Sequence, residues 1–264
     1  MKCDRQTLPI ATIHEENASL RTFTFEGKLD ATPGQFIMLT VFSQGEKPFS
    51  ILNADKTSFA LTIKNVGPFT DRLFQLKTGD LVSVRGPYGR SFSNNLGRVL
   101  LVGGGFATPP LLFLAKRLRA AGVGYMATIN GARTTSDLLY VHDFDELSDR
   151  SLIATNDGSL GHKGTSVDLM EAILSEERFD QIYISGPEKM MLAAAPVAKR
   201  HHLRFEVNLE RYMKCGVGVC GSCVMDPLGL ILCMEGPIID AQTLDKLEEF
   251  GVSHRGKTGR IEPI

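Results

Sequence analysis

The sequence predicts a β-barrel joined to an α/β parallel-sheet domain, with a small cysteine-bearing segment at the C-terminal end. Three observations carry this. Short runs of alternating apolar and polar residues fill 6–93, strands alternate with helices after Gly97, and four cysteines crowd into 215–233. At 264 residues the chain also exceeds the usual size of one domain.

The first region reads as all-β. Leu20–Phe25 alternates as a half-buried strand should, and Phe36–Val41, Phe59–Ile63 and Leu81–Arg85 are further β-rich runs. Pro33-Gly34, Thr78-Gly79-Asp80 and Gly86-Pro87 read as turns between them, and one short helix fits Thr70–Leu76. Many short strands with turn signals suit a small barrel or sandwich. From Val99 the texture changes. Val99–Val102 is a continuous apolar strand running into Gly103-Gly104-Gly105, followed by a helix over Pro109–Ala120. Strands at Tyr125–Ile129, Leu152–Thr155 and Gln181–Ser185 alternate with helices at Thr165–Leu174 and Glu188–Lys199, the signature of parallel βαβ units. A strand from Phe205 leads into the cysteines and a Gly/Pro-punctuated tail.

Composition removes some partners. A formal charge of −1 argues against nucleic acid, whose phosphates call for a basic excess. No apolar run approaches the roughly 18–20 residues of a membrane span. The start, Met1-Lys2-Cys3-Asp4-Arg5, lacks the apolar stretch of a secretory signal, so a cytoplasmic protein is expected. In such a reducing compartment, clustered cysteines bind metal more often than they pair as disulfides. Cys3, apart from the cluster, reads as a terminal thiol.

Cys215-x4-Cys220-x2-Cys223-x9-Cys233 begins with the spacing of plant-type ferredoxin ligands. The intervening glycines allow positive φ and leave backbone N–H groups free to approach sulfur. The spacing favours a 2Fe–2S cluster over structural zinc, which prefers paired C-x2-C knuckles, or over unliganded thiols. Gly103–Gly105, with Phe106-Ala107-Thr108-Pro109, lies between strand and helix as a nucleotide loop does. The acidic residue expected about 20 positions later is absent, so the simple dinucleotide fingerprint does not apply. Ser185-Gly186-Pro187 ends the last parallel strand at the same sheet edge. Lys47-Pro48-Phe49-Ser50 places a cation beside a proline and a hydroxyl. Val66-Gly67-Pro68-Phe69-Thr70 opens the short helix, whose N–H groups and Thr hydroxyl suit an anion. A solvated lysine on a strand is the plainer reading of Lys47 taken alone. Five of the histidines are uninformative; His162, in Gly161-His162-Lys163-Gly164, is a candidate for the nucleotide cleft.

Together these motifs resemble the ferredoxin–NADP reductase relatives, and within them the electron-transfer subunits of dihydroorotate dehydrogenase B. Asp157–Gly164, Leu209–Gly216 and Cys233-Met234-Glu235-Gly236-Pro237 carry the narrower match, and the resemblance covers nearly the whole chain. It implies a β-barrel FAD-binding domain over 1–96, an α/β NAD-binding domain over 97–204 and a 2Fe–2S segment over 205–264. FAD would be held by Lys47, Pro48, Phe49, Ser50, Lys64, Asn65, Val66, Gly67, Phe69 and Thr70. NAD would be met by Gly103, Gly104, Gly105, Gly186 and Pro187, and the cluster by Cys215, Cys220, Cys223 and Cys233. Arg133 would suit a 2′-phosphate, yet the resemblance favours NAD over NADP. The chemistry would be borne by the cofactors, with no catalytic side chain. The implied partner is an FMN-containing dihydroorotate dehydrogenase catalytic subunit, in a heterotetramer passing electrons to NAD+ in pyrimidine biosynthesis. Three departures stand out. Lys47 replaces the usual Arg and loses its bidentate fork, Ala107 replaces a common glycine, and nine residues between Cys223 and Cys233 make a short gap. The same cofactors also suit a reductase subunit of a hydrogenase, a sulfite reductase or another ferredoxin-linked enzyme. A zinc-stabilised interaction module is a third reading.

Overall fold

Alternation along the early strands sets the first core. In the computed structural model, which describes residues 5–264 and so leaves Cys3 outside, β1 (Arg5–Asn17), β2 (Leu20–Glu26), β3 (Phe36–Val41) and β4 (Gly45–Ser50) are followed by β5 (Asn53–Ala54) and β6 (Ser58–Lys64). A helix, α1 (Pro68–Phe74), precedes β7 (Leu81–Tyr88). The strands form one antiparallel sheet, ordered β4-β3-β7-β1-β2-β6-β5, that curls into a barrel until β4 lies against β6. Every second residue of β6 (Phe59, Leu61, Ile63) points inward to meet Phe23, Phe25, Ile37 and Leu39. Helix α1 starts two residues earlier than the sequence suggests, because Pro68 suits the first helical position. Gly86-Pro87 is not a turn but the end of β7, in a cis peptide linkage.

The second half is a doubly wound sheet. Its strands are β8 (Arg98–Gly104), β9 (Tyr125–Ala132), β10 (Arg150–Thr155), β11 (His162–Lys163), β12 (Gln181–Ser185) and β13 (Arg204–Asn208). They are interleaved with α2 (Pro109–Ala120), α3 (Val141–Leu147), α4 (Ser166–Glu176) and α5 (Glu188–Arg200). The order β11-β10-β9-β8-β12-β13 is parallel throughout and reverses between β8 and β12. At that reversal a crevice opens at the carboxyl ends of the strands, where α/β sheets bind ligands. Helix α2 is apolar almost all round because it is covered on two sides: Leu111 and Leu112 pack on the sheet, and Phe113 enters the barrel core. Helix α3 escapes sequence reading because Val141–Leu147 carries three acids and a histidine in seven residues and buries only Phe144.

The cysteine segment lies between these layers. After β13 come β14 (Val224–Met225), β15 (Leu230–Ile231) and α6 (Leu232–Glu235). Then β16 (Ile238–Asp240) adds antiparallel to β13, ahead of α7 (Ala241–Leu244) and a hairpin of Ser253–Arg255 with Ile261–Pro263. Met213, Cys223, Met225 and Cys233 share one apolar core with Phe36, Met38 and Tyr88 of the barrel and with Ile184 and Val207 of the sheet. Among the described residues no helix is long and apolar enough to cross a membrane.

Candidate functional site

A cleft of about 660 Å³ opens where barrel, sheet and cysteine segment meet. One wall is β4, from Lys47 to Ser50. It is an edge strand, the place in a sheet where a proline such as Pro48 is tolerated. A second wall runs from Thr62 through Lys64 and from Val66 to Thr70, with the Phe49 and Phe69 rings 6.0 Å apart. Phe106, Ala107, Pro109 and Pro110 close the sheet side, and Asn208–Arg211, Met213 and Pro237 close the end. The Lys64 ammonium lies 5.3 Å from the Phe106 ring centre, and Lys47 donates to the Tyr212 hydroxyl at 3.0 Å. Lys47 is therefore not merely solvated; it ties β4 to the segment leading into the cysteines.

Some expected groups do other work. The Thr70 hydroxyl accepts the N–H groups of Val66 and Gly67 at 2.8 and 3.0 Å and donates to the Gly67 carbonyl at 2.9 Å. It is spent on shaping the turn. Asn65 does not line the cleft; its backbone N–H donates to the Ser19 carbonyl, and its side-chain oxygen is buried without a partner. A buried acceptor left unpaired invites a donor from a bound molecule.

Gly103, Gly104, Gly105, Gly186 and Pro187 stand together at the crevice but outside the cleft lining. A Cβ on Gly104 would fall 2.5 Å from the Met190 sulfur and 3.4 Å from the Gly186 Cα, so the two glycines let β8 and β12 carry their turns side by side. Gly105, at φ 55°, differs: a Cβ there would meet nothing within 4 Å, leaving its backbone open to a ligand. His162 sits on β11, at the far edge of the sheet and away from the cleft.

The four cysteines form two pairs. Cys220 hydrogen-bonds with Cys215, and Cys223 with Cys233. Loop N–H groups aim at the sulfurs: Val217 and Val219 at Cys215 (3.5 and 3.4 Å), Gly218 at Cys233 (3.3 Å) and Cys233 at Cys223 (3.4 Å). Burial pushes the Cys220 thiol up, but hydrogen bonds with Ser222 and Cys215 outweigh it and bring it to about 6. The bond from Cys233 draws Cys223 down to about 7, while Cys233 is pushed well up and holds the proton the pair shares. Among the described residues no three His, Cys, Asp or Glu side chains gather for a single metal ion. Two cysteine pairs, each able to take one iron once deprotonated, suit a two-iron cluster instead.

Two contacts that sequence reading missed fix this loop to the barrel. The Arg85 guanidinium of β7 donates to the Cys215 carbonyl at 2.6 Å and pairs with Glu46 of β4. Gly216, at φ 69°, packs so closely that a Cβ would lie 3.0 Å from Met38. The cleft fits a flavin dinucleotide: it has aromatic and proline walls for a ring, Lys47 and Lys64 for phosphate charge, and a volume ordinary for cofactor sites.

Comparison with known proteins agrees with this geometry. A Methanocaldococcus jannaschii protein named "Probable dihydroorotate dehydrogenase B (NAD(+)), electron transfer subunit" is 39% identical over 251 residues, 95% of each chain. The chain belongs to that family. A relative of the same name from Methanothermobacter thermautotrophicus is 37% identical, covering 98% of this chain and 97% of its own. The family model "Iron-sulfur cluster binding domain of dihydroorotate dehydrogenase B" matches residues 210–245, and "Oxidoreductase FAD-binding domain" matches 8–92. The first span holds all four paired cysteines, and the second holds the barrel walls of the cleft. Among solved structures, a chain of an NADH-dependent reduced ferredoxin-NADP oxidoreductase superposes with TM-score 0.83 at 30% identity, covering 92% of both chains. This is thus a ferredoxin reductase-like oxidoreductase subunit that takes FAD and an iron–sulfur cluster.

Proposed function

We propose that this chain carries electrons between a dihydroorotate-oxidising, FMN-containing catalytic subunit and NAD+, in the cytoplasm and as part of a heterotetramer that serves pyrimidine biosynthesis. The observation carrying this reading is that the cysteine loop and the flavin cleft share one frame, through Arg85 to the Cys215 carbonyl and Lys47 to Tyr212. When bound, FAD supplies hydride exchange with nicotinamide and single-electron exchange with a cluster. The chain positions these groups. Lys47–Ser50, Lys64–Gly67, Phe69 and Thr70 form the flavin's seat, with Lys47 in the role of the usual arginine but without its bidentate fork. Gly103–Gly105 with Gly186 and Pro187 shape the nucleotide's approach, and the four cysteines bind iron.

The loop's outer side favours hand-off to another protein. Val219 is 82% exposed and Cys220 is exposed, while Cys223 and Cys233 are buried. Alone, the chain should oxidise NADH with artificial acceptors and leave dihydroorotate untouched, having no base placed for that substrate. Mixed with the FMN-bearing subunit, it should form a stable complex that reduces NAD+ with dihydroorotate. Failure to form that complex, with tight binding to a hydrogenase or sulfite-reducing partner instead, would replace this reading.

A further inference from the structure

Three segments of the chain meet at one carboxylate outside the cofactor seats. Glu188 opens α5 directly after Gly186-Pro187. Its two oxygens accept from both terminal nitrogens of Arg211, at 2.6 and 2.9 Å, and its Oε1 also accepts the Gly251 N–H at 2.8 Å. The Arg211 side chain is only 3% exposed and that of Glu188 13%, so the pair is largely shut off from water. Arg211 lines the flavin cleft, directly before the Tyr212 that Lys47 meets and close ahead of Cys215. Its Nε is buried without a partner, so the guanidinium is gripped end-on through its terminal nitrogens. The same first turn of α5 also reaches the nucleotide glycines. A Cβ on Gly104 would fall 2.5 Å from the Met190 sulfur, and one on Gly186 only 2.4 Å from the Met190 methyl. Glu188 and Met190 thus connect both nucleotide turns to the wall of the cleft.

We propose that Arg211 is a positioning residue for hydride exchange: through Glu188 it fixes the Gly186-Pro187 turn, and with it the approach of the nicotinamide, against the flavin cleft. This role rests on the nucleotide reading above. Stability alone does not account for the pair. Desolvation offsets the attraction of a buried ion pair, so apolar side chains of the same volume often serve a fold as well or better. What a fork-to-fork contact does supply is a set distance and a set plane. Hydride exchange needs that, because reacting atoms must be held in a near-attack geometry. A lysine at this position would keep the charge but grip the carboxylate as a single point, without the plane. The pair also sits where such control is useful, between the turn that a nucleotide approaches and the segment that lines the cleft.

The test uses full-length protein loaded with FAD and iron, and compares Arg211→Lys and Glu188→Gln with the wild type. Both variants should keep their FAD and iron. Amide hydrogen exchange across residues 186–192 should quicken by about tenfold, the local opening expected when one charge-assisted hydrogen bond is lost. Flavin bleaching at saturating NADH should slow by about tenfold or more, part of the ~100-fold that a 1 Å misplacement can cost, while Kd for NADH changes by less than about threefold. Combining the two substitutions should slow bleaching no further than the worse single one, because both break the same contact. Variants that melt at lower temperature yet exchange and bleach like the wild type would overturn the role, leaving the pair to stability alone. So would a double variant whose slowing is the product of the two single effects, or loss of FAD from both single variants. Wild-type protein that neither binds NADH nor bleaches with it would overturn the nucleotide reading as well.

Discussion

The cysteine loop and the flavin cleft solve the same problem, holding a redox group still, in opposite ways. In the loop, 19 consecutive residues carry all four candidate cluster cysteines, and the backbone itself points N–H groups at their sulfurs. In the cleft, no stretch longer than a few residues contributes at once; β4, β6, the turn after β8 and the segment after β13 are brought together by tertiary packing. A local site is insensitive to distant changes but depends on every ligand. An assembled site tolerates the loss of single contacts but depends on the joints between layers. Arg85 and Lys47 are those joints.

The sharpest way to break this comparison is within the loop. Cys220→Ser should lower iron from about two atoms per chain to near none, and acid-labile sulfide with it. FAD content and NADH-to-flavin hydride exchange should persist, as read by metal analysis and flavin absorbance. Loss of flavin along with iron would show that the two sites are not separable. The next effect is at the joint. Arg85→Ala strips a largely buried ion pair, leaving Glu46 with only Arg5 and Thr40 and the Cys215 carbonyl without the guanidinium, at a cost of about 2 kcal/mol, below that of a fully uncompensated buried charge. Thermal unfolding and iron retention should fall together; unchanged iron retention would mean the barrel does not brace the loop.

A smaller change is expected in the cleft. Lys47→Ala removes a charge-assisted contact, so FAD affinity should drop by about tenfold, and Lys47→Arg should hold FAD at least as well. Equilibrium dialysis of FAD reads both, and unchanged occupancy in Lys47→Ala would remove Lys47 from the flavin seat. The smallest effect is a pH dependence. Burial pushes the Glu46 carboxyl up, but the Arg85 hydrogen bond and charge, with Thr40 and Arg5, outweigh it and hold the group below the ordinary glutamate value of 4.5. A group depressed in the folded state contributes stability above its unfolded pKa and loses it as pH falls through the folded one. Acid sensitivity below pH 4.5 should therefore be flatter in Glu46→Gln than in the parent protein, as followed by urea unfolding.

What could be read from sequence follows the same division. The cysteine spacing, Gly103–Gly105 and the Lys47–Ser50 run are contiguous, so the chemistry they suggest is visible without the fold. Asn208, Glu210, Phe106 and Pro237 reach the cleft only because β13 and β8 end, and the antiparallel β16 begins, at one sheet edge, which no spacing announces. Arg85 and Glu46 look like surface charges on a barrel strand until β7 and β4 are seen to flank β3. The Thr70 hydroxyl shows the converse. The motif was visible, but the side chain closes its own turn instead of offering itself to an anion.

The central claim is that flavin and cluster sit in one frame and exchange electrons within this chain. Anaerobic addition of NADH to the purified protein, followed by flavin absorbance and by electron paramagnetic resonance of the iron, tests it most directly. The account predicts that the flavin bleaches and a reduced 2Fe–2S signal then appears without any partner subunit present. A bleached flavin beside iron that stays oxidised under excess NADH, yet is reduced by dithionite, would contradict it.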